Sequence, residues 1–280
     1  MTLGLTKEQL QNLLKSAGVY DRVKVSMLYD LYWYFADRSI IDDRRREINF
    51  YRDLLRGFHN GDLIFDVGAS HGYKTDIFLR LGAKVVAVEP DEMNQGILKR
   101  KFLERRWKKR HLVIVGKAVS DSCSIDRMWI DAPGCAENTL SPKWVETLKA
   151  NTKRFGRRFS FDHWRTVETV SLEKLIAEYG LPFLVKIDVE GHELSVLRGM
   201  QRPVPYVSFE VNLPEFRPEA FSCVEVLYGL DPEGTFNYTA DCRLGLSQPE
   251  WRPADELSPL LSSTTDASIE VFWRSSRAMV

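Results

Sequence analysis

The sequence predicts an α/β fold: a mostly parallel seven-stranded sheet with helices on both faces, joined to an N-terminal helical extension. Three observations carry this. Strand-like apolar runs alternate with amphipathic segments, first over residues 63–119 and again over 184–242. The runs are apolar throughout, as in strands buried on both faces. The first run ends in a glycine-rich turn, the usual place for a ligand in an open parallel sheet.

In chain order, residues 1–60 read as the helical extension and 61–280 as the domain. Thr6 is an N-cap candidate ahead of an amphipathic stretch at 7–16, which Gly18 closes. A second helix is predicted over 23–36. A third covers 43–57, where Ile48, Tyr51, Leu54 and Leu55 recur at helical spacing. The predicted strands cover 63–67, 84–88, 112–119, 184–189, 206–211, 236–242 and 269–273. Helices at 74–81, 91–107, 193–199 and 222–229 connect them, in keeping with right-handed crossovers. Residues 131–162 and the Ser- and Pro-rich stretch 244–267 read as irregular.

Composition narrows the function classes. The 280 residues are 44% hydrophobic and 28% charged, which excludes disordered, collagen-like and coiled-coil chains. Lys+Arg and Asp+Glu both total 39, so no net charge favours nucleic acid or anionic membrane. Residues 201–280 hold six Arg, no Lys and twelve Asp/Glu. That excess is either chance surface composition or an acidic wall around a neutral or polar substrate. Cys123, Cys135, Cys223 and Cys242 form no C-x-x-C pair and have no His at zinc spacing, so reduced thiols in a cytoplasmic protein are expected. The N-terminus does not read as a secretory leader, and no transmembrane segment is expected.

Residues 63–72 read LIFDVGASHG: Asp66 precedes a turn of Gly68, Ala69, Ser70, His71 and Gly72. Glycines there permit positive φ and a close approach of ligand to backbone. The next strand ends in Glu89 and Pro90, where a carboxylate can accept hydrogen bonds from both hydroxyls of a ribose. The G-x-x-x-G spacing matches neither the dinucleotide fingerprint nor a P-loop. Asp66 disfavours a pyrophosphate, because like charges would meet in a desolvated pocket. It suits a cationic ligand such as S-adenosylmethionine, which also brings a ribose for Glu89. The plainer use of Asp66 is to cap the following helix.

A second motif, FLVKIDVEGHELSVLRGM, spans 183–200. Asp188 ends the strand, and Glu190, Gly191, His192 and Glu193 follow at the carboxyl end, the side that faces the cleft in doubly wound folds. Taken with FDVGASHG, AVEPD, AVSD from Ala118, VSLEKLI from Val170 and SFEVN, these strings resemble the FkbM family of S-adenosylmethionine-dependent methyltransferases. The resemblance covers residues 61–212 and continues more weakly to 273. It implies a class I methyltransferase (Rossmann-like) fold and S-adenosylmethionine as cofactor. It also implies O-methylation of a hydroxyl on a sugar, glycolipid or polyketide-like metabolite. Where the family shows Asn, this chain has Ser70, which keeps a hydrogen-bonding group. The cofactor set so implied is Asp66, Gly68, Ala69, Ser70, Gly72, Glu89 and Pro90, with Ala118 and Val119 lining the adenine.

Methyl transfer is an in-line displacement, so orientation is the main task and is worth roughly 7–11 kcal/mol. A general base adds about 10²–10⁴-fold. The base candidates are Asp188, then His192, with Glu210 on the next strand. Asp188 serves equally well to hold the cofactor's amino group. Glu190 and Glu193 suit a helix N-terminus. No ligand cluster demands a metal, so none is expected.

The partner expected is a small-molecule or glycan hydroxyl acceptor. The stretch 99–110, KRKFLERRWKKR, raises an alternative, an RNA methyltransferase. It reads better as the solvated face of a crossover helix, and no nucleic acid is expected. A non-catalytic nucleoside-binding module is the third reading, which Asp66, Glu89 and Asp188 argue against. The aromatic segment 29–35 could cover the cleft, bind substrate, pack on the sheet or form a homodimer surface. The segment from Trp251 could be a lid.

Overall fold

The computed structural model describes residue 16 and residues 38–103, 111–151 and 156–276. The helices expected at 7–16 and 23–36, the aromatic segment 29–35 and most of the basic stretch 99–110 lie outside these residues.

The described chain opens with helix α1 (Arg38–Leu54), followed by β1 (Leu63–Val67), α2 (Tyr73–Leu81), β2 (Lys84–Val88), α3 (Glu92–Lys101) and β3 (Leu112–Val115). Next come β4 (Ala118–Ser120), β5 (Ile125–Ile130), α4 (Pro142–Ala150), β6 (His163–Ser171), α5 (Leu172–Tyr179), β7 (Leu184–Ile187) and α6 (Glu193–Arg198). The chain closes with β8 (Tyr206–Asn212), α7 (Arg217–Leu230), β9 (Thr235–Thr239), α8 (Ala254–Ser263) and β10 (Ser268–Arg274).

Seven strands make one sheet in the order β3-β2-β1-β7-β8-β10-β9, and β10 alone runs opposite to the other six. Strand order reverses between β1 and β7, which is where such sheets open a ligand crevice at their carboxyl ends. The apolar runs are explained by burial on both faces. Phe65, Val67, Val86, Val185, Ile187 and Phe209 enter one core. Ile64, Val85, Ala87, Leu184, Tyr206 and Phe272 enter the other. Helix α1 belongs to the second core: Tyr51 is fully buried and sits edge-on to Phe78, 5.0 Å between ring centroids.

Four expectations are corrected. The run 112–119 is not one strand. β3 stops at Val115, whose carbonyl takes the Glu89 amide, and Ala118 to Ser120 leave to pair with β6. With β5 they form a separate three-stranded sheet, β4-β6-β5. An apolar run does not encode which sheet it joins. Residues 131–162 hold helix α4, capped by Ser141 and started by Pro142, which buries Trp144, Val145 and Leu148. Residues 244–267 hold helix α8, where Leu257 and Leu261, four apart, enter the core despite Pro259 within the helix. Helix α7 also starts five residues before its predicted position, at Arg217. Among the described residues, no helix is long and apolar enough to cross a membrane, and all four cysteines are free.

Candidate active site

The glycine turn is built by close backbone contacts. Gly68 has φ 80°, and the amides of Gly68 and Ala69 both donate to the Val88 carbonyl, at 3.0 and 3.1 Å. A Cβ on Gly68 would lie 1.7 Å from the carbonyl oxygen of Asp188, so the turn after β1 and the end of β7 can approach only through a glycine. Ser70 is itself left-handed, at φ 45°, which aims its amide at Glu89 Oε2 at 2.7 Å. Gly72 serves packing: at φ 75° it precedes α2, and a Cβ there would meet Leu98 and Phe102 at 2.5 and 2.7 Å. The Lys101 ammonium closes the turn from behind, donating to the His71 and Gly72 carbonyls. At least this member of the basic stretch is engaged by the fold.

Glu89 is 5% exposed, and both its oxygens are braced by amides, Ser70 on Oε2 and Asp91 on Oε1, each at 2.7 Å. Burial outweighs these bonds and pushes its pKa up to about 7. Each oxygen keeps a lone pair for a further donor. Asp66 lies fully buried behind the turn. Its Oδ2 accepts from Thr75 Oγ1 at 2.5 Å, while Oδ1 has no partner. Burial raises its pKa against the pull of Lys186. An orphaned buried oxygen beside a braced carboxylate fits a ligand with both an ammonium and a ribose.

A cleft opens in front of this turn, with Gly68, Ser70, Glu89 and Pro90 on one side and Asp188 and His192 on the other. Ala118, Val119, Met128 and the loop from Cys135 to Leu140 form its far wall. Asp91 ties that loop to the turn. It caps α3 through the Met93 amide, while its other oxygen accepts from the Gly134 amide and Asn138 Nδ2, both at 3.2 Å. His192 Nε2 lies 3.1 Å from Ser120 Oγ, and burial lowers the His192 pKa, so its ring is neutral at pH 7.

A second cleft adjoins the first and shares Asp188 with it. Lys186, Glu210, Ser268 and Glu270 line it from the sheet, with Glu47, Lys74, Asp241 and Arg243 around them. Burial alone would raise the Asp188 pKa. The Lys186 ammonium, 2.6 Å from Asp188 Oδ2, outweighs that and holds it below the usual carboxylate range. Glu210 accepts from Ser268 Oγ at 2.8 Å, and burial together with the Asp188 charge raises its pKa. Burial and the same neighbours raise Glu190 further. Oxygens of Asp188, Glu190 and Glu210 lie within 4.8 Å of one another, so these three could hold a divalent cation. Sequence spacing hid this set, because Glu210 comes from the neighbouring strand. Glu193 braces the turn before α6: Oε1 accepts the Val189 and Gly191 amides, at 3.0 and 3.2 Å, and burial pushes its pKa to about 7.

The structure therefore gathers Gly68, Ser70, Glu89, Pro90, Ala118, Val119, Asp188 and His192 around one cleft. Asp66, Ala69 and Gly72 support it from behind, and Glu210 faces the second cleft. Sequence reasoning missed Asp91 as a clamp, although its place just after a strand and before a helix is an N-cap signal. It also missed Asn138, Thr139 and the buried Lys186.

This strand order, with its single reversed strand and its cleft at the switch point, defines the class I methyltransferase fold. The chain belongs to the FkbM methyltransferase family: the family model, Methyltransferase FkbM domain, matches residues 66–229. It is 28% identical over 206 residues to the hexuronic acid methyltransferase AglP of Haloferax volcanii, covering 73% of this chain and 72% of that protein. Its structure is similar to the crystallised methyltransferase FkbM from Methylobacillus flagellatus, with TM-score 0.50 and 15% identity over 81% of this chain. The chain spans about half, 47%, of that crystallised protein.

Proposed function

We propose that the protein is an S-adenosylmethionine-dependent O-methyltransferase acting on a hydroxyl of a sugar-type acceptor. One observation carries the reading: two clefts meet at Asp188, one holding Glu89 against the glycine turn, the other lined by carboxylates. The similarity to a protein named as a hexuronic acid methyltransferase supports a sugar over a polyketide-like metabolite.

S-adenosylmethionine, when bound, supplies a methyl group already activated for displacement. Glu89 would accept from the ribose hydroxyls, Ala118 and Val119 would face the adenine, and Asp66, buried behind the turn, would favour a cationic ligand by its charge and not by contact. On the acceptor side, Asp188 is ionised by its ion pair and suits orienting a hydroxyl by accepting its hydrogen bond. Glu210, raised to about 8 by burial and the Asp188 charge, keeps its proton at pH 7 and would serve as proton acceptor only where the pH exceeds that value. His192 lines the cleft with its ring engaged by Ser120.

Calorimetric titration with S-adenosylmethionine and S-adenosylhomocysteine tests the cofactor half, with micromolar binding expected. Radiolabelled methyl transfer to a panel of hexosides and hexuronosides tests the acceptor half. Folded protein that binds neither nucleoside overturns the reading.

A further inference from the structure

The second cleft opens past Cys242 and Arg243, which it shares with a third groove. Arg46, Arg56, Arg243 and Arg274 line this groove over an aromatic floor of Phe50 and Trp251, against one carboxylate, Asp53. Two of the four guanidiniums are already neutralised: Arg46 by Asp43 at 2.6 Å, and Arg243 by Asp241 at 2.6 Å. Arg56 and Arg274 have no carboxylate partner among the described residues. The Arg274 guanidinium lies 4.6 Å from the Trp251 ring centroid, and its Nε donates to Thr235 Oγ1 at 2.9 Å. Burial and the neighbouring Arg56 charge both pull the Arg274 pKa down.

The clefts thus segregate charge. In the second cleft every cation is matched: Lys74 with Glu47 at 2.6 Å, Lys186 with Asp188 at 2.6 Å, and Arg243 as above. That cleft suits neutral hydroxyls, which donate to carboxylates, and offers an anionic acceptor group no free partner among the described residues. The groove beyond it holds two adjacent guanidiniums that lack a counter-ion. A carboxylate would neutralise one; a phosphate ester, with up to two charges and several acceptor oxygens, matches the pair and the fork geometry of arginine.

We propose that the groove binds a phosphate ester carried by the acceptor, so that the substrate is a neutral sugar joined to a phosphate or diphosphate group. This rests on reading the second cleft as the acceptor site. The exposed Leu244 and the half-buried Leu246 at the groove leave room for an apolar alcohol on the far side of the phosphate, and the Trp251 face leaves room for a nucleoside.

The test is calorimetry on the intact protein, with and without S-adenosylhomocysteine, using decyl phosphate, uridine diphosphate and uncharged decyl glucoside as probes. We expect at least one phosphate probe to bind about tenfold or more tightly than the glucoside, and to weaken as salt rises. The stronger of the two identifies the lipid or the nucleotide as its source. Arg56→Gln, an exposed substitution, is expected to weaken that probe about tenfold while S-adenosylhomocysteine affinity stays unchanged. Arg274→Gln, monitored for folding by its thermal midpoint, is expected to do the same. Phosphate probes no tighter than the glucoside, or unaffected by Arg56→Gln, overturn the proposal. A wild-type chain that binds phosphate but not S-adenosylhomocysteine sinks the methyltransferase reading and leaves the groove standing.

Discussion

The ammonium of Lys186 lies 2.6 Å from Oδ2 of Asp188, and the pair lines the second cleft, which meets the first at Asp188. The Lys186 side chain is 4% exposed and that of Asp188 34%, so the lysine is locked in the sheet while its partner still reaches the ligand space. Register explains the pairing. Lys186 stands beside Asp66 across β1 and β7, so one buried cation serves two carboxylates.

Removing that cation is expected to have two consequences. Lys186→Met should destabilise the fold by about 3–5 kcal/mol in urea denaturation, because it strands Asp188 and Asp66 without their counter-charge. The Asp188 pKa should rise, since Lys186 is what holds it down. The acidic limb of the pH–rate profile should therefore move to higher pH. A variant with unchanged stability and an unchanged limb would show that the pair is incidental.

Asp188→Asn is expected to separate rate from affinity. The side chain keeps its size and one acceptor oxygen but loses the charge proposed to orient a hydroxyl donor. Methyl transfer should fall by about 10²-fold or more, while S-adenosylhomocysteine affinity changes by less than about threefold. Equal losses in both, from stopped-flow and calorimetry, would place Asp188 in the cofactor set instead.

Glu89→Ala is expected to weaken S-adenosylmethionine binding by about 2–3 kcal/mol, the usual loss for hydrogen bonds to a charged group. Part of that effect must come through the turn, since Glu89 also receives the Ser70 and Asp91 amides. Glu89→Gln keeps one amide partner and should lose less. Calorimetry showing wild-type affinity in the Ala variant would mean the ribose lies elsewhere.

The first cleft was legible because its signals are local. Gly68, Ser70 and Glu89 sit within one strand–turn–helix–strand unit, and each is required by backbone geometry that a short string reveals. The second cleft was not. Glu210 meets Asp188 and Glu190 only through the β7–β8 register, and Glu47 reaches Lys74 only once α1 packs on the sheet. The apolar run ending at Val119 concealed a change of sheet, because hydrophobicity records burial and not partner. Likewise, Ser and Pro in 254–263 argued for a loop, yet two leucines four residues apart decided for a helix. Residues 201–280 supply Asp241 and Glu270 to the second cleft, and Arg243 and Arg274 to the groove beyond it.

Gly68→Ala is expected to disable both clefts at once. The residue is left-handed, and the added carbon would fall 1.7 Å from the Asp188 carbonyl oxygen. The turn and the β7 end must then move apart, beyond the roughly 1 kcal/mol cost of the φ alone. Cofactor binding should vanish and the thermal midpoint should drop by several degrees. A variant that binds S-adenosylhomocysteine normally would mean that the approach of the two segments is not needed for the site.

Glu193 offers a test of buried charge whose sign is fixed by linkage. Its pKa is pushed up to about 7 by burial, from an ordinary value near 4.5. The folded state therefore binds more protons than the unfolded state between those values, so stability falls as pH rises through that window. Both amide bonds use Oε1, so Glu193→Gln keeps them and removes the charge. The variant should match wild type below about pH 4.5 and exceed it by about 2–3 kcal/mol at pH 8.5. Urea denaturation at pH 4.5, 6 and 8.5 measures this. A constant difference across the three would show that the glutamate acts through its shape, and a wild type more stable at pH 8.5 would show that the ionised carboxylate is stabilising where it lies.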